Sequence, residues 1–154
     1  PFGLSTTTCK CMQAEEYCKR GDIFELDIVA NYGWIRSGMW EAVEAEIRAV
    51  CDTCHKYGTA VKVIMETDAL TKEEIIHATK VLTAAGADFV KKLHWLLYRR
   101  PLRRCHRRGG FPDDGAAGGK AQVKGSGCIR TREHFLKLID MGIDRMGIGY
   151  LPLQ

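Results

Sequence analysis

Apolar residues recur along this chain at two spacings, one typical of helices and one typical of buried strands. From Met39 to about Tyr57 they follow the three-to-four-residue spacing of one helical face, and Ser37 is the predicted N-cap. Gly58 ends this helix, and the apolar run 60–65 then predicts a buried strand. A helix that leads directly into a buried strand is typical of α/β folds.

The same order of helix and strand continues along the rest of the chain. The other predicted helices are Thr8–Lys19, a helix that Thr71 caps and Gly86 ends, and a helix that Thr131 caps. The other predicted strands are Phe24–Ala30, Asp88–Lys91, Ala121–Lys124 and Arg145–Ile148. Strands that alternate with helices predict a parallel sheet with right-handed crossovers, so the predicted fold class is α/β.

One segment interrupts this order, from Lys92 to Gly119. Its sequence has no clean period, clusters its arginines and ends in a glycine-rich stretch. Long structureless loops are uncommon inside a compact domain. We therefore treat 92–119 as an irregular segment within one domain that spans 1–154.

Composition and charge favour a soluble globular domain. The chain has 154 residues, of which 45% are hydrophobic and 27% charged. The formal charge of +4 falls to −2 without the six arginines between positions 99 and 108, so the basic character is local. No apolar run reaches the ~18 residues that a membrane helix needs, and no leader pattern opens the chain, so no membrane association is expected.

Seven cysteines are scattered through predicted helices and strands, and an odd, scattered set is untypical of a secreted disulfide scaffold. Reduced thiols and a cytoplasmic location are the favoured interpretation. Cys51, Cys54 and His55 match a haem-attachment pattern, but they lie at the end of an amphipathic helix. Cys9 and Cys11 point to different faces of a helix, which disfavours a zinc site. No metal or cofactor is expected.

Charged side chains also lie towards the ends of the predicted strands, where parallel α/β folds place their reacting groups. They are Asp27 with Asn31, Lys62 with Glu66, Lys91, and Lys124 followed by Gly125, Ser126 and Gly127. Lysine is rarely buried without a partner. Three lysines on adjacent strands are therefore an unusual pattern.

A lysine that is desolvated beside another ammonium holds its proton less tightly, and its neutral amine can form a Schiff base with a carbonyl. An aspartate nearby can move the protons that imine formation and carbon–carbon cleavage require. The lysines and Asp27 therefore suggest Schiff-base aldol chemistry. Ordinary lysines in ion pairs explain the spacing equally well, so the residue pattern alone leaves both interpretations open.

Four blocks of the sequence resemble the deoxyribose-phosphate aldolase family, in order and at similar spacing. They are Phe24–Val29, Val61–Thr67, Gly86–Lys91 and Val123–Thr131. Pro1–Gly3 and Thr6–Thr8 are similar to the segment after the family's third strand. The resemblance covers most of the chain except 92–119 and the last few residues.

The resemblance implies a class I aldolase on a (β/α)₈ barrel, which reversibly cleaves 2-deoxy-D-ribose 5-phosphate to D-glyceraldehyde 3-phosphate and acetaldehyde. By position, Lys91 matches the family's Schiff-base lysine, Lys124 the second lysine that perturbs it, and Asp27 the proton relay. Lys62 matches a strand lysine near the site. The substrate-binding residues that the resemblance implies are Lys62, Gly125, Ser126, Gly127, Gly147 and Gly149. The implied partner is a phosphorylated sugar.

Two departures from the family change this expectation. Only about five of eight barrel strands are predicted, so the resemblance implies a partial or shortened barrel. The family's Thr-Ser-Thr-Gly-Phe-like stretch after the catalytic lysine is replaced by Lys92-Leu93-His94-Trp95-Leu96. Codons for residues 93–97, shifted by one nucleotide, can spell Ser-Thr-Gly-Phe-Tyr. A local frameshift is one hypothesis, and genuine divergence or an engineered insert is the other.

The expected phosphate site also departs from the family. Gly147 and Gly149 keep the close backbone approach that a phosphate needs, but the serine of the family's turn is absent. Cys128 stands where the family has a second glycine. Weakened phosphate binding is the expectation.

The six arginines lie within Tyr98–Arg108, a segment that resembles a surface for phosphate backbones. Nothing else in the sequence suggests base recognition, so an accidental basic loop is favoured and nucleic acid is not an expected partner. The alternative function is a catalytically inactive aldolase-derived fragment with an Arg-rich anion- or nucleic-acid-binding surface. The oligomeric state stays open, a homo-oligomer included.

Overall fold

The computed structural model describes residues 3–93, 120–126, 129 and 131–148. Within these ranges, five parallel strands form one sheet in chain order, and helices lie between the first three strands and between the last two. The strands are β1 (Glu25–Val29), β2 (Ala60–Glu66), β3 (Phe89–Leu93), β4 (Gln122–Ser126) and β5 (Arg145–Gly147). The helices are α1 (Thr7–Cys18), α2 (Tyr32–Arg36), α3 (Trp40–His55), α4 (Lys72–Ala84) and α5 (Arg132–Asp140), with a 3₁₀ turn at Thr67–Ala69.

This architecture confirms the predicted α/β class and its five strands. The irregular segment predicted at 92–119 begins inside β3, and residues 94–119 lie outside the described part of the chain. None of the described helices is long and apolar enough to cross a membrane.

Two helices start where the capping residues in the sequence predict. Thr71 and Glu74 form a complete capping box at the start of α4, and Thr131 accepts from the backbone N–H of His134 at the start of α5, as predicted.

The prediction that Ser37 caps α3 is wrong. Ser37 instead ends the short helix α2, which the sequence pattern did not reveal and which starts at Asn31. Gly38 then takes a positive φ of 69°, a left-handed conformation that suits glycine and takes the chain out of α2. As a result α3 begins one residue after Met39, which makes no side-chain capping bond.

Alternation along the strands separates the sheet into two chemically different faces. The apolar side chains of Val61, Val63, Met65 and Val90 are fully buried in one hydrophobic cluster with residues of α3 and α4. The residues that alternate with them on the same strands include Lys62 and Lys91. The helices therefore cover the apolar face, and the opposite face carries the charges.

The sheet is strongly curved, since its two edge strands touch through side chains. A flat sheet would hold β1 and β5 about 19 Å apart, four strand spacings of 4.7–4.9 Å. Nevertheless the guanidinium of Arg145 on β5 donates to the carboxylate of Glu25 on β1. The charged face is therefore concave, as the interior of a partial barrel is.

A buried ion pair ties the first helix to this sheet. The ammonium of Lys10 on α1 lies 2.8 Å from the Glu46 carboxylate on α3 and also donates to the carbonyl oxygens of Gly3 and Val29, each at 3.0 Å. The Glu46 side chain is fully buried. A Cβ at Gly3 would lie 2.2 Å from the Ala30 carbonyl oxygen, so glycine is required where the chain crosses the end of β1.

Replacing Lys10 with methionine should lower the free energy of unfolding by about 3–5 kcal/mol, because the Glu46 carboxylate stays buried without its counter-charge. Urea denaturation measures this change. Lys19→Met is the matched control: it breaks an exposed ion pair with Glu15 on the same helix and should change little. Adding Glu46→Leu to Lys10→Met should recover much of the loss; equal effects of the two lysine substitutions would contradict the assignment.

Candidate active site

The lysines that the sequence analysis selected lie on the concave face of the sheet. In the strand register Asp27 on β1 is opposite Lys62 on β2, and Lys91 on β3 is opposite Lys124 on β4. Residues opposite one another in a parallel pair point to the same face. The four charged side chains therefore share one surface.

Lys91 is the centre of this group. Its Nζ atom lies 3.4 Å from an Oδ of Asp27, although β2 runs between their strands. Only 12% of the Lys91 side chain is exposed, against 40% for Asp27. The distance is long for a charge-assisted hydrogen bond, so the carboxylate is close to the amine without binding it tightly.

Lys124 lies beside Lys91 and is partly buried. Burial, and next the positive charge of Lys91, lower the pKa of Lys124 below its ordinary value. Asp27 and Glu25 act in the opposite direction, and Lys62 adds to the lowering. The arrangement thus places the Lys124 amine beside the Lys91 amine on a partly buried surface, where Lys124 holds its proton less tightly than an ordinary lysine.

Lys62 has a partner that the sequence analysis did not single out. Its Nζ lies 2.6 Å from an Oε of Glu25, and the Lys62 side chain is only 8% exposed. Glu25 also accepts from Arg145, and these two cations, Lys62 first, hold the pKa of Glu25 below its usual value. Glu25 lies two residues before Asp27 on the same strand, and this spacing could have indicated that both carboxylates share one face. Nothing in the sequence indicates that Glu25 contacts Arg145.

The predicted substrate-binding glycines and serine are only partly described. Ser126 ends β4 with 9% exposure and lies opposite Gly147 of β5. A Cβ at Gly147 would lie 2.5 Å from the Ser126 Oγ, so a larger residue here would require the Ser126 hydroxyl to move. Gly125 lies between Lys124 and Ser126 on β4, while Gly127 and Gly149 fall outside the described residues.

A cavity of about 730 Å³ opens at the amino ends of the strands, and Lys62, Lys91 and Lys124 are not among its lining residues. Its lining includes Phe89, Gln122, Arg145, Asp88 and Asp144. The two aspartates have structural partners: each accepts from the backbone N–H of a residue on the preceding strand. The cavity therefore does not coincide with the predicted site.

Replacing Lys124 with leucine should stabilise the protein at neutral pH. A lowered pKa means that the folded state resists protonating this lysine, a cost that is full below the lowered pKa and vanishes as pH rises towards the unfolded value of ~10.4. Urea denaturation at neutral and alkaline pH should show the gain shrinking as pH rises. Lys120→Leu, at an exposed position just before β4, is the control; a gain that does not depend on pH would contradict the argument.

The comparisons with known proteins agree with the earlier resemblance. No protein-family model matches the chain. Deoxyribose-phosphate aldolase from Desulfitobacterium hafniense is 35% identical over 158 residues, covering 96% of this chain and 65% of the relative. The enzyme of the same name from Lactiplantibacillus plantarum is 35% identical, covering 97% of this chain and 67% of the relative. Among solved structures, an aldolase named QR15 matches at a TM-score of 0.75 with 32% identity, over 96% of this chain and 63% of that one.

The chain thus spans just under two thirds of the first of these relatives. The matches cover nearly the whole of this chain, and the structural match covers the same parallel sheet with its helices. Sequence and fold agree with the same relatives. This chain belongs to the deoxyribose-phosphate aldolase family.

Proposed function

We propose that this chain carries the reaction centre of a class I aldolase that reversibly cleaves 2-deoxy-D-ribose 5-phosphate to D-glyceraldehyde 3-phosphate and acetaldehyde. One observation carries the proposal: Lys91 and Lys124 lie opposite each other on the concave face, with the Asp27 carboxylate 3.4 Å from the Lys91 amine. A nucleophilic amine, a neighbouring cation and a proton-transfer group are what Schiff-base catalysis needs.

In the proposed reaction the neutral Lys91 amine attacks the C1 aldehyde of the open-chain sugar, and loss of water gives an iminium. Asp27, directly or through water, removes the proton of the C3 hydroxyl. The C2–C3 bond then breaks, its electrons flow into the iminium, and glyceraldehyde 3-phosphate leaves. Protonation of the remaining enamine and hydrolysis release acetaldehyde and restore the amine.

The amine pair addresses the main obstacle to this reaction. A free lysine titrates near ~10.4, so at neutral pH its amine is almost entirely protonated. Two adjacent ammonium groups on a partly buried face repel each other, and their titrations are coupled. The lowered pKa of Lys124 is the direction that this coupling gives. The pair can therefore keep one amine neutral closer to physiological pH than an isolated lysine would.

The substrate's phosphate is assigned to the carboxyl ends of the last two strands. Ser126 and Gly147 lie next to each other at the carboxyl ends of β4 and β5, on the side where the sugar chain would extend. We assign substrate contact to Lys62, Ser126 and the glycines Gly125, Gly127, Gly147 and Gly149, with the phosphate close to Gly147 and Gly149. Lys62 would reach a phosphate only by exchanging its Glu25 contact.

The setting of the reaction is also a proposal. Cys9, Cys11, Cys18, Cys51 and Cys54 are free thiols, which supports a reducing compartment such as the cytoplasm. The proposal includes a homo-oligomer, for which no interface is assigned.

The alternative, an inactive fragment with an Arg-rich binding surface, rests on residues 99–108, which lie outside the described part of the chain. The lysine pair and its aspartate give it no support, since a non-catalytic fragment has no need of them. The aldolase is therefore the function we favour.

Borohydride reduction in the presence of acetaldehyde should leave an ethyl group on Lys91, found by peptide mass spectrometry. Lys91→Ala should abolish this adduct, whereas Lys120→Ala, the matched exposed lysine, should keep it. Lys124→Leu should suppress the adduct at neutral pH and restore it at high pH, because the remaining ammonium loses its repulsive neighbour. An unchanged pH profile in Lys124→Leu would contradict the coupling of the two amines.

Turnover of 2-deoxyribose 5-phosphate by this chain should be weak, even if Lys91 forms an imine with a small aldehyde. Holding the phosphate so that C1 meets the amine accounts for up to ~7–11 kcal/mol of catalysis, and the sequence after Lys91 departs from the family there. Restoring Thr-Ser-Thr-Gly-Phe after Lys91 should raise activity by orders of magnitude in a coupled assay. Turnover of the present chain at about 1–10³ per second would overturn this prediction.

A further inference from the structure

Glu25 binds two cations from two different strands at once. One carboxylate oxygen accepts from the Lys62 ammonium on β2 at 2.6 Å, and the other accepts from the Arg145 guanidinium on β5. We call these three residues the Glu25 bridge. Because Arg145 comes from the opposite edge strand, the bridge spans the concave face.

An aromatic ring helps to fix the bridge in place. The Lys62 ammonium lies 5.9 Å and the Arg145 guanidinium 4.5 Å from the centre of the Phe89 ring. Phe89 is itself only 5% exposed. A cation over a ring face is attracted by the ring quadrupole. The Phe89 ring and Glu25 therefore both stabilise the positions of the two cations.

The Glu25 bridge lies directly beside the lysine pair. Arg145 is opposite Lys124 in the β4–β5 register, and Lys62 is opposite Asp27 in the β1–β2 register. Charged groups from three strands act on Lys124, namely Lys91 (β3), Asp27 and Glu25 (β1) and Lys62 (β2), and Arg145 (β5) lies opposite it in the register. A change in the charge of the bridge must therefore act on Lys124.

We propose that Glu25 is a positioning residue whose bridge to Lys62 and Arg145 fixes the net charge beside the lysine pair, and so sets the pH at which a neutral amine is present. This role deepens the proposed aldolase function and takes its meaning from it. Glu25 need not touch the substrate, since it acts through the charge and the placement of its two partners.

The sign of the effect follows from counting charge in the bridge. With one carboxylate and two cations the bridge carries one net positive charge. Glu25→Gln leaves both cations uncompensated, so the neighbouring amines should lose their protons at lower pH. Arg145→Gln leaves the bridge neutral and should have the opposite effect. The present influence of Glu25 raises the pKa of Lys124, which agrees with the sign expected for Glu25→Gln, and Lys62, the other cation of the bridge, lowers it.

Trace labelling with acetic anhydride across the neutral to alkaline range, followed by peptide mass spectrometry, measures the titration midpoint of Lys124 without requiring any reaction with a sugar. The variants are Glu25→Gln, Arg145→Gln and the double variant. Glu44→Gln is the control, because Glu44 pairs with Arg48 on the exposed side of α3. Circular dichroism reports whether each variant is folded.

Glu25→Gln should lower the Lys124 midpoint by about 0.5–1 pH unit and Arg145→Gln should raise it by a similar amount. The double variant, which again carries one net positive charge, should return close to the native midpoint, and Glu44→Gln should not move it. If the bridge only maintains structure, both single variants should shift the Lys124 midpoint in the same direction, and the double variant should show the largest shift.

Each further result decides the inference. If Glu25→Gln does not fold, Arg145→Gln carries the test alone, and a midpoint that fails to rise overturns the role of the bridge. If the midpoints move as expected but acetaldehyde never yields a Lys91 adduct, the charge-setting role stands and the proposed aldolase function fails. If the adduct forms but the midpoints do not move, the proposed aldolase function stands and the charge-setting role of the Glu25 bridge fails.

Discussion

The in-register alternation of five parallel strands is the constraint on which the rest of this structure depends. Because side chains alternate between faces and the strands pair in register, one face collects Val61, Val63 and Val90 beneath the helices. The other face then collects every intervening residue, including Lys62 and Lys91. The same backbone arrangement therefore builds the hydrophobic core and concentrates charge on the concave face. A slip of one residue in a strand would exchange the two sets and destroy both.

Charge on the concave face is compensated mainly by two carboxylates, which contact Lys62, Arg145 and Lys91. β1 supplies both carboxylates from alternate positions: Glu25 binds Lys62 tightly, and Asp27 stays at 3.4 Å from Lys91. The Glu25–Lys62 contact is close, whereas the looser Asp27–Lys91 contact is the one on which the proposed proton transfer rests. Lys124 has no such tight partner among the described residues, and burial, followed by the positive charge of Lys91, lowers its pKa. Curvature is essential, since it brings Arg145 from the far edge back to Glu25.

Outside the sheet, a second polar contact holds the region where β1 ends. Lys10 reaches from α1 into the interior and binds both the buried Glu46 and the carbonyl oxygen of Val29. Asp27 lies two residues before Val29 on the same strand, so the anchor and the candidate site share a backbone segment. The sequence similarity to deoxyribose-phosphate aldolases covers this segment and the four strands that follow. The departure from the family after Lys91 begins at Lys92, inside β3, and the irregular segment that contains it runs to residue 119.

The sequence by itself determined the α/β class, the five strands, the caps at Thr71 and Thr131 and the face on which Asp27, Lys91 and Lys124 lie. These features follow from local signals: strand and helix periods, capping side chains and matching blocks of residues. Tertiary structure decided that Ser37 ends α2, that Lys10 pairs with Glu46, and that Glu25 joins Lys62 to Arg145. The end of α2 depends on the positive φ of Gly38. The ion pairs link residues from 36 to 120 positions apart in the sequence. Their formation depends on the curvature and packing of the whole sheet, which no local pattern encodes.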